Sequence, residues 1–407
     1  MEAFYNLIQI LLTVIEYVVF LYLLISVLYV FIYSVAGHSY KKRKKLEKVS
    51  KRSVAVFIPA YKEDAVIVEV AKNALKQDYK SDLFDVVVIA DSMQDETLEK
   101  LRSLPIIVVE VSFENSTKTK ALNKAMATLK KKYDIALILD ADNIMEYKFL
   151  SKINEAFENG YQIVQGHRKA KNLNTSYAIL DAISEEINNH VYRRGHRALG
   201  LSSALIGSGM AFDYTLFKTS MANIKAIGGF DKELEFEMAK KRISIEYLQD
   251  AFVLDEKIQK SSGFSKQRKR WLSTQFVYFR QYFFSGLTQL VKYGNINFFD
   301  KLVQMIILPR VLLLGLTIIF TILYLLNAYF FGIITSISAT SWVINTSLLF
   351  IGFLLAIPSS FYNIKTLNAM LALPSAFFRM FLLLFKLKGA NKKYIHTEKD
   401  FSQNQQK

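Results

Sequence analysis

The stretch "YDIALILDADN" (133–143) joins an uninterrupted apolar run, Ile135 to Leu139, to two aspartates flanking one alanine. An apolar run without alternation belongs to a strand covered on both faces, as in a parallel sheet with helices packed on each side. Three upstream segments read the same way: "VAVFI" (54–58), "DVVVIA" (85–90) and "IIVVEV" (106–111). Helical stretches near 65–77, 94–103 and 118–132 separate them. Such strand–helix alternation predicts a doubly wound α/β sheet, whose ligands bind beyond the carboxyl ends of the strands. A longer helix (about 175–194), a strand near 204–213 and a helix near 231–243 are expected to follow.

Carboxylates stand where such a sheet places its ligands. Asp140 and Asp142 are two residues apart on an extended chain, so both side chains face one way. Two hard oxygen donors suit Mg2+ or Mn2+ shared with phosphate oxygens. Asp91 ends "DVVVIAD" in the same manner. A single strand-end Asp commonly caps a helix instead; the spaced pair is the more specific signal. "IPAYKED" (58–64) follows the first strand, with Tyr61 and its acids placed to hold a base and ribose. "STKTKALNKA" (116–125) sets Lys118 at a helix start, where backbone N–H groups and a cation both favour phosphate.

The rest of the chain reads as membrane. Of 407 residues 52% are hydrophobic, concentrated at 4–34 and beyond 302, while the middle is mixed and charged. "YVVFLYLLISVLYVFIYSVA" (17–36) has the ~20 residues a crossing needs, and lacks the basic leader and cleavage site of a signal peptide. The block "KKRKKLEKVSKR" (41–52) behind it places residues 41 onward in the cytoplasm by the positive-inside rule. The net charge of +16 hugs the membrane flanks, so it calls for anionic lipid rather than nucleic acid. Without cysteine there is no disulfide framework and no thiolate metal site; His190 and His196 have no metal-ligand partners at useful spacing. "KQRKRWLSTQFVYFRQYFFSGL" (266–287) mixes cations with aromatics, as a helix in the membrane interface does. Apolar runs at about 311–334 and 342–361 are expected to span. The piece 367–385 is expected to be interfacial or re-entrant, because spanning would put the basic tail outside.

In order, "IPAYKE", Asp91, "KTKALN", Asp-Ala-Asp, "GSGMAF" and Gln-x-x-Arg-Trp (Gln267, Arg270, Trp271) resemble the membrane-bound family 2 glycosyltransferases, the group of the cellulose, hyaluronan and poly-N-acetylglucosamine synthases. The likeness covers roughly residues 54–275. It implies a GT-A, Rossmann-like nucleotide-sugar domain inserted between transmembrane helices, a divalent metal, and inverting transfer that makes a β-linkage. By the family's pattern Ala60, Tyr61, Glu63 and Asp91 would contact the uridine nucleotide and Lys118 would support it. Asp140 and Asp142 would hold diphosphate and metal, and Gly207, Ser208 and Gly209 of "LIGSGMAFD" would line the acceptor side. An Arg beside the leaving diphosphate stabilises its growing charge, while Trp271 offers a face for a sugar ring and Gln267 a hydrogen bond to its hydroxyls.

The general base is the irregular part. Relatives carry an acidic doublet at a helix start, whereas this chain reads "GGFDKELEFEM" (228–238), with Phe230 where an acid is common. Counting back from "IEYLQDAFVLDE" (245–256) assigns the base to Asp231, with Glu233 the alternative. Lys62 stands where relatives often have Asn. "YIHTEKD" (394–400) resembles the gating loop of cellulose synthase, whose Thr397 and Lys399 would close on the diphosphate.

The resulting organisation is an N-terminal anchor (1–40), a cytosolic GT-A domain (41–263), an interfacial helix with the Gln-x-x-Arg-Trp motif (264–300), two transmembrane helices (301–365), and an interfacial helix with a gating-loop-like tail (366–407). The expected activity is a UDP-sugar polymerase of the inner membrane that exports a β-linked glycan, with a homo-oligomer or export partner completing the conduit. Single transfer to a membrane lipid is the enzymatic alternative, and an inactive scaffold that binds nucleotide or anionic lipid is the third reading.

Overall fold

The apolar runs do form one half of a single sheet. The computed structural model describes residues 2–259, 261–333 and 335–386. Strands β1 (Val54–Tyr61), β2 (Phe84–Asp91), β3 (Ile107–Val111) and β4 (Ile135–Ile138) lie parallel in the order β3-β2-β1-β4. Because side chains alternate across a strand, Val54, Val56 and Ile58 enter one apolar layer while Ala55 and Phe57 enter the other. Both faces of β1 are covered, which is why its sequence does not alternate.

Beyond β4 the sheet turns mixed. β5 (Ile144–Met145), β6 (Ile163–Ala170), β7 (Met210–Asp213) and β8 (Glu246–Asp255) complete the order β4-β7-β6-β8-β5, with β7 antiparallel to both neighbours. β6 escapes the apolar-run criterion because it carries Gln165, His167, Arg168 and Lys169. Two of its polar side chains are paired inside the protein: Arg168 donates to Glu185 at 2.9 Å, and the Tyr247 hydroxyl lies 2.8 Å from His167 Nδ1. The strand expected over 204–213 is shorter, since Gly207 and Gly209 have φ of +77° and +60° and keep the preceding residues as a loop. The long helix after β6 runs Ser176–Asn188 and continues as a π-helix over Asn189–Gly195.

Among the described residues three helices are long and apolar enough to cross a membrane: Phe4–Ser39, Arg310–Phe331 and Ala339–Ala356. At Gly352 a Cβ would lie 3.3 Å from the Cα of Phe31, so the first and third pack backbone to backbone. Glu16 accepts hydrogen bonds from the Tyr324 hydroxyl and the Ser336 and Ile337 amides, fastening the first helix to the turn between the other two. The last apolar piece divides into Ile364–Met370 and Leu373–Leu384, bent by 41° where they meet.

The sheet domain is docked on the first helix. A Cβ at Gly195 would sit 2.2 Å from the Tyr33 carbonyl oxygen, and one at Gly37 would sit 2.4 Å from His190 Nε2. His190 meets the Ser34 carbonyl at 2.7 Å, and His196 stacks on Tyr33 with ring centroids 3.8 Å apart. Both histidines belong to this junction.

Candidate active site

The carboxyl ends of β2, β1 and β4 lie side by side. Tyr61 pairs in register with Asp91, and Leu139 N donates to Phe57 O at 2.9 Å just before Asp140. Lys62 and Ser92, the residues after Tyr61 and Asp91, both have φ of +56°. Non-glycine residues held in that region collect at functional sites. Asn tolerates it better than Lys, which gives physical content to the Asn that relatives often carry at the Lys62 position. Lys62 N donates to Asp91 O at 3.1 Å, and Ser92 Oγ donates to Asp91 Oδ1 at 3.0 Å. Asp91 is 2% exposed, and the helix that follows is capped by Gln94, so Asp91 does not serve as its cap.

Lys118 opens the helix Lys118–Thr128, capped by Thr117, and its ammonium pairs with Asp140 Oδ1 while lying 5.9 Å from the centre of the Phe230 ring. Phe230 is therefore a buried wall under the Lys118 ammonium, which explains an apolar residue at that place in the helix Phe230–Lys240. Asp231 follows it, with the loop of Gly207 alongside: a Cβ at Gly207 would lie 3.8 Å from Asp231 Cγ. Gly229 occupies the cap position of this helix, so Asp231 does not cap it. Burial raises the Asp231 carboxyl above the ordinary range, with Glu235 adding to the rise and Lys232 and Lys118 opposing it. Burial likewise raises Glu233, whose carboxylate meets the Lys225 amide at 3.5 Å and faces Tyr278. Glu233 is thus engaged on the side of the helix away from Gly207.

Asp142 is 2% exposed and accepts a hydrogen bond from Asn143 Nδ2 at 3.2 Å. Among the described residues no three His, Asp or Glu side chains gather as a metal cage. The donor set is two carboxylates at a strand end, which fits Mg2+ or Mn2+, ions that complete their coordination with substrate phosphates and water.

Gln267, Arg270 and Trp271 sit on the helix Ser261–Tyr293. One turn on, this helix presses on the residues before Asp231: a Cβ at Gly229 would lie 2.5 Å from Thr274 Cγ2, and the Tyr278 hydroxyl reaches the Gly228 carbonyl at 3.5 Å. Among the described residues Gln267 Oε1 is buried with no hydrogen-bond partner, so it has acceptor capacity to spare. Trp271 is half-buried, with the Arg268 guanidinium 4.4 Å from its ring centre. Gly229 has φ of +72°, so Gly229→Ala is both strained and obstructed. We expect a loss of about 1–3 kcal/mol, read as a lower melting temperature in detergent and partly recovered in Gly229→Ala/Thr274→Ser, which removes the obstructing methyl.

Ser208, expected on the acceptor side, is 1% exposed and its hydroxyl is engaged with Asn143 and the Asp140 amide. Thr397 and Lys399 lie outside the described residues. Sequence reading missed Asn143, which is fully buried between Asp142, Asp255 and Ser208. Its only signal was its place directly after Asp-Ala-Asp.

A mixed sheet with this order, its acids at the carboxyl edge and a lysine-headed helix beside them, is the GT-A type of glycosyltransferase domain. The profile described as Glycosyltransferase like family 2 matches residues 51–274, and the chain belongs to that family. Among solved structures the chain is similar to the mannosyltransferase PcManGT from Pyrobaculum calidifontis in complex with GDP-Man and Mn2+, at 14% identity and a TM-score of 0.50, covering 82% of this chain and 96% of that one. It is also similar to glucosyl-3-phosphoglycerate synthase from Mycobacterium tuberculosis in complex with Mn2+, UDP and phosphoglyceric acid, at 18% identity and a TM-score of 0.35, covering 52% and 71%. No curated protein matches the chain. At 14% identity the likeness to the mannosyltransferase bears on the fold alone.

Proposed function

We propose that the protein transfers a sugar, with inversion, from a UDP-sugar to an acceptor presented at the cytoplasmic face of the inner membrane. The observation that carries this reading is the continuous run Asp140–Lys118–Phe230–Asp231–Gly207, which sets a phosphate-side cation and a carboxylate base around one space. Asp140 and Asp142 would hold Mg2+ or Mn2+, which when bound neutralises charge on the leaving diphosphate. Tyr61, Glu63 and Asp91, beside Ala60, are placed at the nucleotide end. Asp231 takes the proton of the acceptor hydroxyl as its oxygen bonds to the anomeric carbon. The bond from that carbon to the diphosphate breaks, and the electron pair leaves with the phosphate. Lys118 and Arg270 offset the charge that develops. Burial raises the pKa of Asp231, which makes its carboxylate a stronger base than an exposed one.

The membrane side favours one acceptor class. The interior shared by the three spanning helices is filled by Phe20, Leu23, Val27, Leu313, Trp342 and Leu349. Phe20 meets Trp342 edge-on at 4.9 Å and Phe320 stacks on it at 4.9 Å. A bundle packed in this way leaves no conduit between these helices, which supports single transfer to a lipid-anchored acceptor. The helix Ser261–Tyr293 adds to this, since Phe276, Phe284, Leu287 and Val291 form an exposed apolar stripe along it suited to the lipid surface. Polymerisation is the second reading, favoured by Gln267, Arg270 and Trp271 in the Gln-x-x-Arg-Trp arrangement, and it needs a second copy or an export partner to supply the conduit.

Purified protein in detergent, given Mn2+, a panel of UDP-sugars and membrane lipid extract, tests the proposal. A labelled lipid is the expected product. Long glycan establishes the second reading, and absence of UDP release from every donor overturns both.

A further inference from the structure

Asn143 is buried completely, yet each end of its amide is used. Its Nδ2 donates to Asp142 Oδ1 at 3.2 Å and to Asp255 Oδ1 at 3.1 Å, and its Oδ1 accepts from Ser208 Oγ at 2.5 Å. The Ser208 oxygen in turn accepts from the Asp140 amide at 2.9 Å. One serine and one asparagine therefore reach both aspartates of Asp-Ala-Asp. Ser208 does so from the loop between Gly207, which borders Asp231, and Gly209, whose amide donates to Ile138 O at 2.8 Å. Gln165 locks that loop from a third side, accepting from the Ile206 amide at 3.1 Å and donating to the Ser208 carbonyl at 2.9 Å.

Resting on the function proposed above, we propose that Asn143 and Ser208 are positioning residues that hold Asp140 and Asp142 in the orientation needed to bind a divalent cation with the donor diphosphate. A carboxylate on a chain end can rotate about two bonds, and each misplaced rotamer removes a ligand from the cation. The Asn143 amide restrains the Asp142 carboxylate directly. The Ser208 hydroxyl anchors the backbone of Asp140 and keeps the Asn143 amide turned with its Nδ2 toward Asp142. Partners that orient metal ligands in this way are worth about 10–100-fold in metal affinity. The same serine sits next to the Gly207 side of Asp231, so the phosphate side and the base side of the cleft share one mechanical support.

The test is calorimetric titration of the full-length protein in detergent with UDP, once with Mn2+ and once with EDTA, beside a thermal melt. Ser208→Ala deletes one hydroxyl and is expected to weaken Mn2+-dependent UDP binding by about 10–100-fold, with binding in EDTA unchanged and the melting temperature lowered by the two buried hydrogen bonds lost. Ser208→Thr, which keeps the hydroxyl, is expected to restore much of the loss. A Ser208→Ala protein that binds UDP with Mn2+ as the wild type does overturns the proposal, as does a loss equally large in EDTA. Asp142→Asn separates this from the underlying reading: if it too keeps wild-type Mn2+-dependent binding, the metal assignment itself falls. If Asp142→Asn loses that binding while Ser208→Ala does not, only the positioning role falls.

Discussion

Asp231→Asn lowers turnover by about 10²–10⁴-fold, the range a positioned general base supplies, while UDP binding with Mn2+ stays near the wild-type value. The asparagine keeps the shape beside Gly207 but cannot take a proton. A second consequence is opposite in sign. Burial raises the Asp231 carboxyl in the folded protein, so the ionised form is held at a cost. Stability linked to this group is full below the carboxylate's unfolded pKa and is lost as pH rises through its folded one. At neutral pH the wild type carries that penalty and Asp231→Asn does not, so the inactive variant is expected to melt at the same or a higher temperature. Activity of the wild type rises with pH along an acid limb set by this raised pKa. Wild-type turnover in Asp231→Asn, or a loss of turnover accompanied by lower thermal stability, would contradict the assignment; the first outcome passes the role to Glu233.

Glu235→Gln is expected to be the most destabilising of the conservative changes, at about 3–5 kcal/mol. Glu235 lies one turn beyond Asp231 and is 1% exposed. Its Oε1 accepts from the Leu205 amide at 2.9 Å and from Lys232, and its Oε2 lies 3.0 Å from the Lys301 ammonium. Lys301 is equally buried and donates to the carbonyls of Ser202 and Ser203. Glutamine keeps the bond to Leu205 but leaves the buried Lys301 charge without a counter-ion. Burial by itself raises the Glu235 carboxyl; Lys232 and Lys301 outweigh it and bring the pKa below the usual value. The stabilisation is therefore present above the ordinary glutamate pKa and lost as pH falls through the lowered one. Melting curves of wild type and variant should lie far apart at pH 7 and converge in acid. Curves separated equally at all pH values would show that charge is not the cause. Glu235 also ties Asp231's helix to the loop holding Ser208, so the variant is expected to lose activity well below its melting temperature.

Much of this was legible in the residues themselves. β1, β2 and β4 carry near-continuous apolar runs because both faces are covered, so their order of appearance announced an α/β sheet and its ligand edge. The spans were legible for a similar reason: lipid requires about twenty apolar residues in a row, and three stretches meet that requirement. Asp140 and Asp142 stood out because a spaced pair of carboxylates at a strand end is more specific than the single Asp91, which could equally have capped a helix. β6 was not legible. His167 and Arg168 read as surface until Tyr247 and Glu185 are in place to pair with them.

What the chain order alone determined was the set of chemical groups and the edge at which they gather, since both follow from local spacing and burial. Which of two neighbouring carboxylates lies beside Gly207, and which groups the Ser208 hydroxyl meets, was decided only in three dimensions. Asp231 and Glu233 are alike in sequence, but the helix turns the first to Gly207 and the second to Lys225 and Tyr278. Ser208 belongs to a loop by its neighbours and to Asn143 by its contacts, sixty-five residues away along the chain. Pairings at that separation depend on how the sheet stacks its strands, which no local pattern encodes.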